Sequence, residues 1–154
     1  MRVTEVGETL IPIYMSPSAE GLQGVIDAWH TQGSRYALTQ APSLLVICIS
    51  RYTVNMGVAA KDVTPIPLVA QECVEVPVFL AADGLQVQTL SYRLQACIFH
   101  IGPCVTSGHY RAGLRVSGEW WLTDDNTLAR PGGELGLEWQ ELMQGSYILC
   151  LAKQ

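Results

Sequence analysis

Three residues, Val116-Ser117-Gly118, lie between two short runs that each read as a β-strand, Arg111 to Arg115 and Glu119 to Thr123. Nothing else in the chain restricts its folding as strongly, because a tight turn between adjacent strands fixes which residues face each other. A three-residue loop with Gly at its last position suits a type I turn followed by a bulge. Pairing Arg115 with Glu119 then sets His109 opposite Asp125 and diagonal to Asp124. An imidazole beside a carboxylate is an oriented general base, the supporting part of a nucleophilic site. The attacking group is not evident in this stretch.

The remaining pattern is mostly extended. Leu10 to Met15 is a short strand interrupted by Pro12, which fits a sheet edge. Ser16-Pro17-Ser18 marks a helix start, with Ser16 or Ser18 as the N-cap. Leu22, Val25, Ile26 and Trp29 then recur at helical spacing, and the helix ends near Gln32-Gly33. Ser43 to Arg51, after Pro42, is apolar on both faces and reads as a central strand covered on two sides. Tyr52 to Glu72, with Gly57, Pro65 and Pro67, reads as a long binding or lid loop. Cys73 to Leu80, Leu90 to Ile101 and Ser146 to Ala152 are further strands. Ala82-Asp83-Gly84 is a turn, Gly102 to Gly108 a Gly/Pro loop, and Leu137 to Met143 one or two helical turns. The order is helix first and then mainly antiparallel strands, an α+β chain in a single domain over 1–154.

Composition closes off several function classes. The net charge is −5 and no run of Lys or Arg exists, so no nucleic-acid partner is expected. No apolar run is long enough for a membrane span, and the N-terminus lacks an apolar signal core. Five cysteines with no CxxC pair support neither a disulfide framework nor a zinc ribbon. Cys48, Cys97 and Cys150 sit in apolar runs and read as buried free thiols, which places the chain in a reducing, intracellular compartment, cytoplasmic or nuclear.

Other candidates take the plainer reading. Cys97, His100, Cys104 and His109 match no common zinc spacing, so no metal and no cofactor are expected. His100 reads as a hydrogen-bonded histidine at a strand end that helps to fix the neighbouring loop. Cys104 is the thiol nearest to His109 in sequence, but its loop would have to fold back and no oxyanion donors are evident, so it reads as a bystander. Trp120 and Trp121 face opposite sides of their strand, one in the core and the other lining a groove or covering the sheet. Trp29, Trp139 and Tyr147 are packing residues, and Asp83, Glu138 and Glu141 are solvated.

An ordered set of short motifs resembles the C-terminal half of the catalytic domain of ubiquitin-specific proteases. The set begins with the helix and the strand end Ile49-Ser50-Arg51-Tyr52. Lys61 follows, then Val74-Glu75-Val76-Pro77, then Tyr92-Arg93-Leu94-Gln95-Ala96-Cys97-Ile98-Phe99-His100-Ile101-Gly102. The His box is Ser107-Gly108-His109-Tyr110, followed by Trp120 to Asp124-Asp125 and the strand Tyr147-Ile148-Leu149. The resemblance implies the palm of a papain-like cysteine peptidase, a thiol hydrolase fold. In it His109 is the general base, Asp124 its orienting acid and Asp125 an assisting neighbour. Gly102, Ser107 and Gly108 would flank the channel for the extended tail of ubiquitin, and Tyr110 would pack under it.

The family's Cys box and the Cys pairs of its fingers have no counterpart in these residues, so thumb and fingers are missing and the chain reads as starting after the thumb. Such a palm would hold half of a Cys-His-Asp triad. Three expectations stay open. The chain is inactive alone and completed by a thumb segment or a second chain; or it is a pseudoenzyme that binds ubiquitin or a ubiquitin-like protein without cleaving it; or it is a truncated structural fragment.

Overall fold

The computed structural model of the chain describes residues 12–33, 35–68, 73–79, 86–104, 106–129 and 142–154. Within them the elements run β1 (Ile13–Met15), α1 (Gly21–Thr31), β2 (Leu44–Ile49), β3 (Tyr52–Asn55), β4 (Val58–Lys61), β5 (Cys73–Phe79), β6 (Val87–Cys104), β7 (Ser107–Val116), β8 (Glu119–Asp124), β9 (Thr127–Ala129) and β10 (Ser146–Lys153). The result is the α+β class read from the sequence: a large sheet with α1 against it.

The sheet runs β1-β2-β10-β6-β7-β8-β9, with β5 pairing the first half of β6. Only β1 and β2 are parallel among the paired strands of this sheet. β6 is 18 residues long and carries the architecture. Its first part pairs β5 through Phe79↔Val87 to Cys73↔Arg93, and its second part lies between β10 and β7. The long apolar run that reads as a central strand is β2, flanked by β1 and β10.

Alternation decides the core. Leu45, Ile47 and Ile49 of β2, Leu149 and Leu151 of β10, and Cys97 and Phe99 of β6 are buried together with Leu22, Val25 and Ile26 of α1. Burying an aliphatic side chain of this size contributes roughly 1.5–3 kcal/mol. This packing offsets the helix's two glycines, since α1 has no side-chain N-cap hydrogen bond. Neither Ser16 nor Ser18 caps it: the N-cap is Glu20, and Ser18 Oγ instead accepts from Glu20 N at 3.2 Å. The helix stops at Gln32, as expected. Trp29 packs against the core and stacks on Tyr36, and Trp120 is buried while Trp121 is half-buried on the other face of β8.

Three expectations change. Tyr52 to Glu72 is not a continuous loop, because β3 and β4 form a hairpin around Met56-Gly57, both at positive φ. Gly102 to Gly108 is not a continuous loop either: β6 extends to Cys104 and β7 begins at Ser107, paired with it. The third change is the register of the β7–β8 hairpin. Val116, not Arg115, pairs with Glu119, so the loop is the two-residue Ser117-Gly118 with φ of 52° and 85°. That is a type I′ geometry, whose twist matches the flanking strands better than a type I turn. The readings of Asp83, Trp139, Glu138 and Glu141 lie outside the described residues, as does most of the segment 137–143.

Candidate active site

His109 sits near the start of β7 and Asp124 at the end of β8, so both lie at one end of the sheet. The β7–β8 ladder runs Val116↔Glu119, Arg115↔Trp120, Leu114↔Trp121, Gly113↔Leu122 and Ala112↔Thr123. One further step along this register sets Arg111 opposite Asp124. Residues i and i+2 share a face, so His109 lies on the face of Arg111 and Asp124. The two side chains meet: His109 Nε2 hydrogen-bonds to Asp124 Oδ1. Each side chain keeps 43 % of its surface exposed. His109 is therefore not opposite Asp125, as the three-residue loop required.

The contact assigns the two ring nitrogens. A carboxylate only accepts, so the Nε2 proton points to Asp124 and Nδ1 is the nitrogen left to take a proton. The second oxygen of Asp124, Oδ2, lies 3.4 Å from Nε of Arg111. Arg111 neighbours His109 on this face, a placement that the period-2 pattern contains and that the motif comparison alone passes over. Asp125, in the β8–β9 turn with φ 47°, is exposed. One ligand atom each from His109, Asp124 and Asp125 lie within 4.8 Å of one another. That group could accept a cation only by competing with the contact between His109 and Asp124.

The segment before His109 is held from below. Ile101 pairs with His109 and His100 with Tyr110, and the ladder is then irregular until Cys104↔Ser107. Gly102 and Gly108 lie at this irregularity. A Cβ on Gly108 would stand 2.3 Å from His100 Nε2, and one on Gly102 would stand 2.9 Å from Gly108 Cα. Only glycine fits such an approach of backbone to backbone and ring. Ser107 is exposed. Tyr110 is 54 % exposed, and its ring lies 4.8 Å from that of His100 and 6.4 Å from that of Tyr147.

His100 is buried inside β6, not at a strand end. Its Nδ1 lies 2.6 Å from the Tyr52 hydroxyl and 3.3 Å from Lys61 Nζ. Burial and the charge of Lys61 both hold its pKa below the ordinary imidazole value. Cys104 Sγ hydrogen-bonds to Ser107 Oγ at 2.8 Å, and the hydroxyls of Ser107 and Thr106 lower its thiol pKa. Cys97 is buried and its pKa is raised by desolvation. The four residues of the spacing Cys97, His100, Cys104 and His109 thus have separate partners.

Arg51 is a second element whose role the motifs leave unassigned. It is 1 % exposed, and its guanidinium donates to four backbone carbonyls. They are Ser146 at 2.5 Å, Asp62 at 2.9 Å, Thr64 at 2.8 Å and Met143 at 3.3 Å. It ties the segment after β4 to the turn before β10. A lone Arg at the end of an apolar strand is the sequence signal that could have found it.

A family model described as ubiquitin carboxyl-terminal hydrolase matches residues 2–150. No curated protein matches the chain in sequence. Among solved structures, the yeast SAGA DUB module with mutant Sgf73 matches with a TM-score of 0.68 and 18% identity, over 93% of this chain and 34% of that one. The Ubp8/Sgf11/Sus1/Sgf73 DUB module bound to ubiquitin aldehyde gives 0.68 and 17%, over 93% and 36%. The Ubp8-Sgf11-Sgf73-Sus1 DUB module gives 0.68 and 19%, over 93% and 33%. At these identities the likeness is one of fold, and the chain spans about a third of the length of the structures it matches.

Proposed function

This chain belongs to the ubiquitin carboxyl-terminal hydrolase family, and on that footing we propose that it is a partial catalytic domain, the C-terminal palm half, that supplies the base of a cysteine-type deubiquitinase. The observation that carries this reading is the contact between His109 and Asp124. In the complete enzyme Nδ1 of His109 takes the proton of a thiol, and the thiolate attacks the carbonyl carbon of the C-terminal Gly of ubiquitin, at its isopeptide bond. The imidazolium then gives its proton to the departing lysine amine, and a thioester remains. Water, deprotonated by the same nitrogen, releases the ubiquitin carboxylate and the thiol. Asp124 holds the ring in the productive tautomer, and Asp125 assists from the turn. Gly102, Ser107, Gly108 and Tyr110 flank the ubiquitin tail.

The thiol comes from a thumb segment or second chain outside these 154 residues, and the chain alone does not hydrolyse. One face of the sheet supports such a partner. Tyr14, Cys48, Ile148, Ile98 and Ala112 form one row across five strands, and Val46, Cys150, Ala96, Leu114 and Trp121 form the next. These rows lie opposite the face that α1 covers, and Tyr14 and Leu114 in them are exposed. An apolar sheet face of this kind is the expected seat of the missing thumb.

A ubiquitin C-terminal electrophile tests the reading. The isolated chain should not be labelled, and labelling that Cys104→Ala removes would show that the chain carries its own nucleophile. Adding a segment that carries the Cys box should restore labelling, with Asp124→Asn slowing it at least about 100-fold. A second reading, ubiquitin binding without cleavage, is favoured by Tyr110, which is 54 % exposed next to the residues that flank the tail. It requires that labelled ubiquitin shift the indole resonances while no added segment restores labelling. Silence of the indoles together with concentration-dependent association would leave the structural fragment.

A further inference from the structure

Lys61 makes three polar contacts, all with one short stretch of β6. Its ammonium donates to the carbonyl of His100 at 2.7 Å and to the carbonyl of Gly102 at 2.8 Å. Its third contact is His100 Nδ1 at 3.3 Å. An ammonium has three protons and no lone pair, so this arrangement uses its whole donor capacity. An ammonium cannot accept, so this contact makes Nδ1 of His100 an acceptor, and the Tyr52 hydroxyl, 2.6 Å from the same nitrogen, shares its single lone pair. The two carbonyls bracket Ile101, the residue paired with His109, and Gly102 begins the irregular part of the β6–β7 ladder.

The same imidazole has a second neighbour. Gly108 passes so close to His100 that any Cβ there would overlap Nε2, and the carbonyl of Ile101 would stand 2.5 Å away. The backbone of the residue before His109 therefore rests on the ring of His100. Resting on the proposed role of His109 as general base, we propose that Lys61 and Tyr52 are positioning residues, which lock His100 and the Ile101–Gly102 backbone so that Gly108 presents His109 to Asp124. The path from Lys61 to His109 is made of contacts and crosses no gap: ammonium to carbonyls and ring, ring to Gly108, Gly108 to His109 by a peptide bond. Charged and titratable groups facing this path are Lys61 from β4, Tyr52 from β3, Tyr110 and Arg111 from β7, and Asp124 and Asp125 from β8 and its turn.

Ring-nitrogen NMR of the full 154-residue chain tests this, with the resonances of His109 separated from those of His30 and His100. At about pH 8.5, where an imidazole is neutral, the wild type should show two well-separated nitrogen shifts for His109, with the proton on Nε2. Asp124→Ala should bring the two shifts together, since no side-chain acceptor then selects one tautomer. Lys61→Met keeps the aliphatic stem and removes the donors, and should collapse the separation to that of Asp124→Ala. Lys61→Arg should restore most of it. A folded Lys61→Met chain whose His109 shifts match the wild type overturns the proposal. Should Lys61→Met fail to fold, Tyr52→Phe decides by the same readout, because it removes a single oxygen: collapsed shifts support the proposal and wild-type shifts overturn it. Unchanged shifts in Asp124→Ala would instead overturn the pairing of His109 with Asp124, and failure of an added Cys-box segment to restore labelling would overturn the functional reading alone.

Discussion

Asp124 shares the sheet face of His109 because Val116 pairs with Glu119 and leaves two residues in the turn. Side chains alternate along a strand, so a register one residue different would send Asp124 to the opposite face. The position of the base pair at the far end of the ladder is thus decided at Ser117-Gly118. Both residues adopt positive φ, which a type I′ turn requires.

Ser117 is strained in that conformation, since φ 52° is disfavoured for a serine. Ser117→Asn should stabilise the chain by about 0.5 kcal/mol, in urea unfolding, because Asn tolerates this region. Inserting one Gly after Ser117 should abolish the tautomer signature of His109 by permitting the alternative register.

Gly108→Ala should destabilise by about 2 kcal/mol and disturb His109 together. The added methyl cannot coexist with His100 Nε2 at 2.3 Å, so either the ring or the β7 backbone must move. Denaturation and the ring-nitrogen spectrum should respond together; a stable variant with an unchanged spectrum would show that the two elements do not bear on each other.

Arg51→Met should cost about 3 kcal/mol or more, measured by denaturant midpoint. Replacing the guanidinium removes the donors to four carbonyls. Lys cannot span the same four acceptors, so Arg51→Lys should recover little.

Stability should fall as pH drops below about 6.5, the unfolded imidazole value. The pKa of His100 is lower in the fold, through burial and the Lys61 charge, so the unfolded chain binds the proton more readily. Its contribution is complete above the unfolded pKa and is lost as pH falls toward the folded one. Thermal unfolding from about pH 8 to pH 5 should show this loss, and His100→Gln should flatten it.

Cys104 should be alkylated faster at neutral pH than Cys73, because its thiolate is stabilised by the hydroxyls of Ser107 and Thr106. Ser107→Ala should slow this about threefold. Mass spectrometry after timed iodoacetamide treatment gives the rates, and equal rates at the two thiols would refute the assignment.

Local pattern made much of this protein legible. Alternation and helical spacing placed α1, β2, β5, β8 and β10 to within a residue or a few, because those signals lie within one segment. The proximity of His109 and Asp124 was legible too, since a hairpin joins nearby residues. What the pattern left open was the number of turn residues, two against three, and with it the face on which Asp124 lies. The β3–β4 hairpin reads as loop in sequence because its Met56-Gly57 turn interrupts only two four-residue strands, too short for a clear period.

The sequence by itself determined that an imidazole and a carboxylate stand near each other at the end of a hairpin, on an α+β sheet. Only the tertiary structure decided what holds them there. Arg51 reaches a carbonyl 95 residues away, and Lys61 reaches carbonyls 39 and 41 residues away. Backbone carbonyls carry no residue identity, so a side chain that binds them leaves no partner to find in the sequence, and the fold alone brings donor and acceptor together.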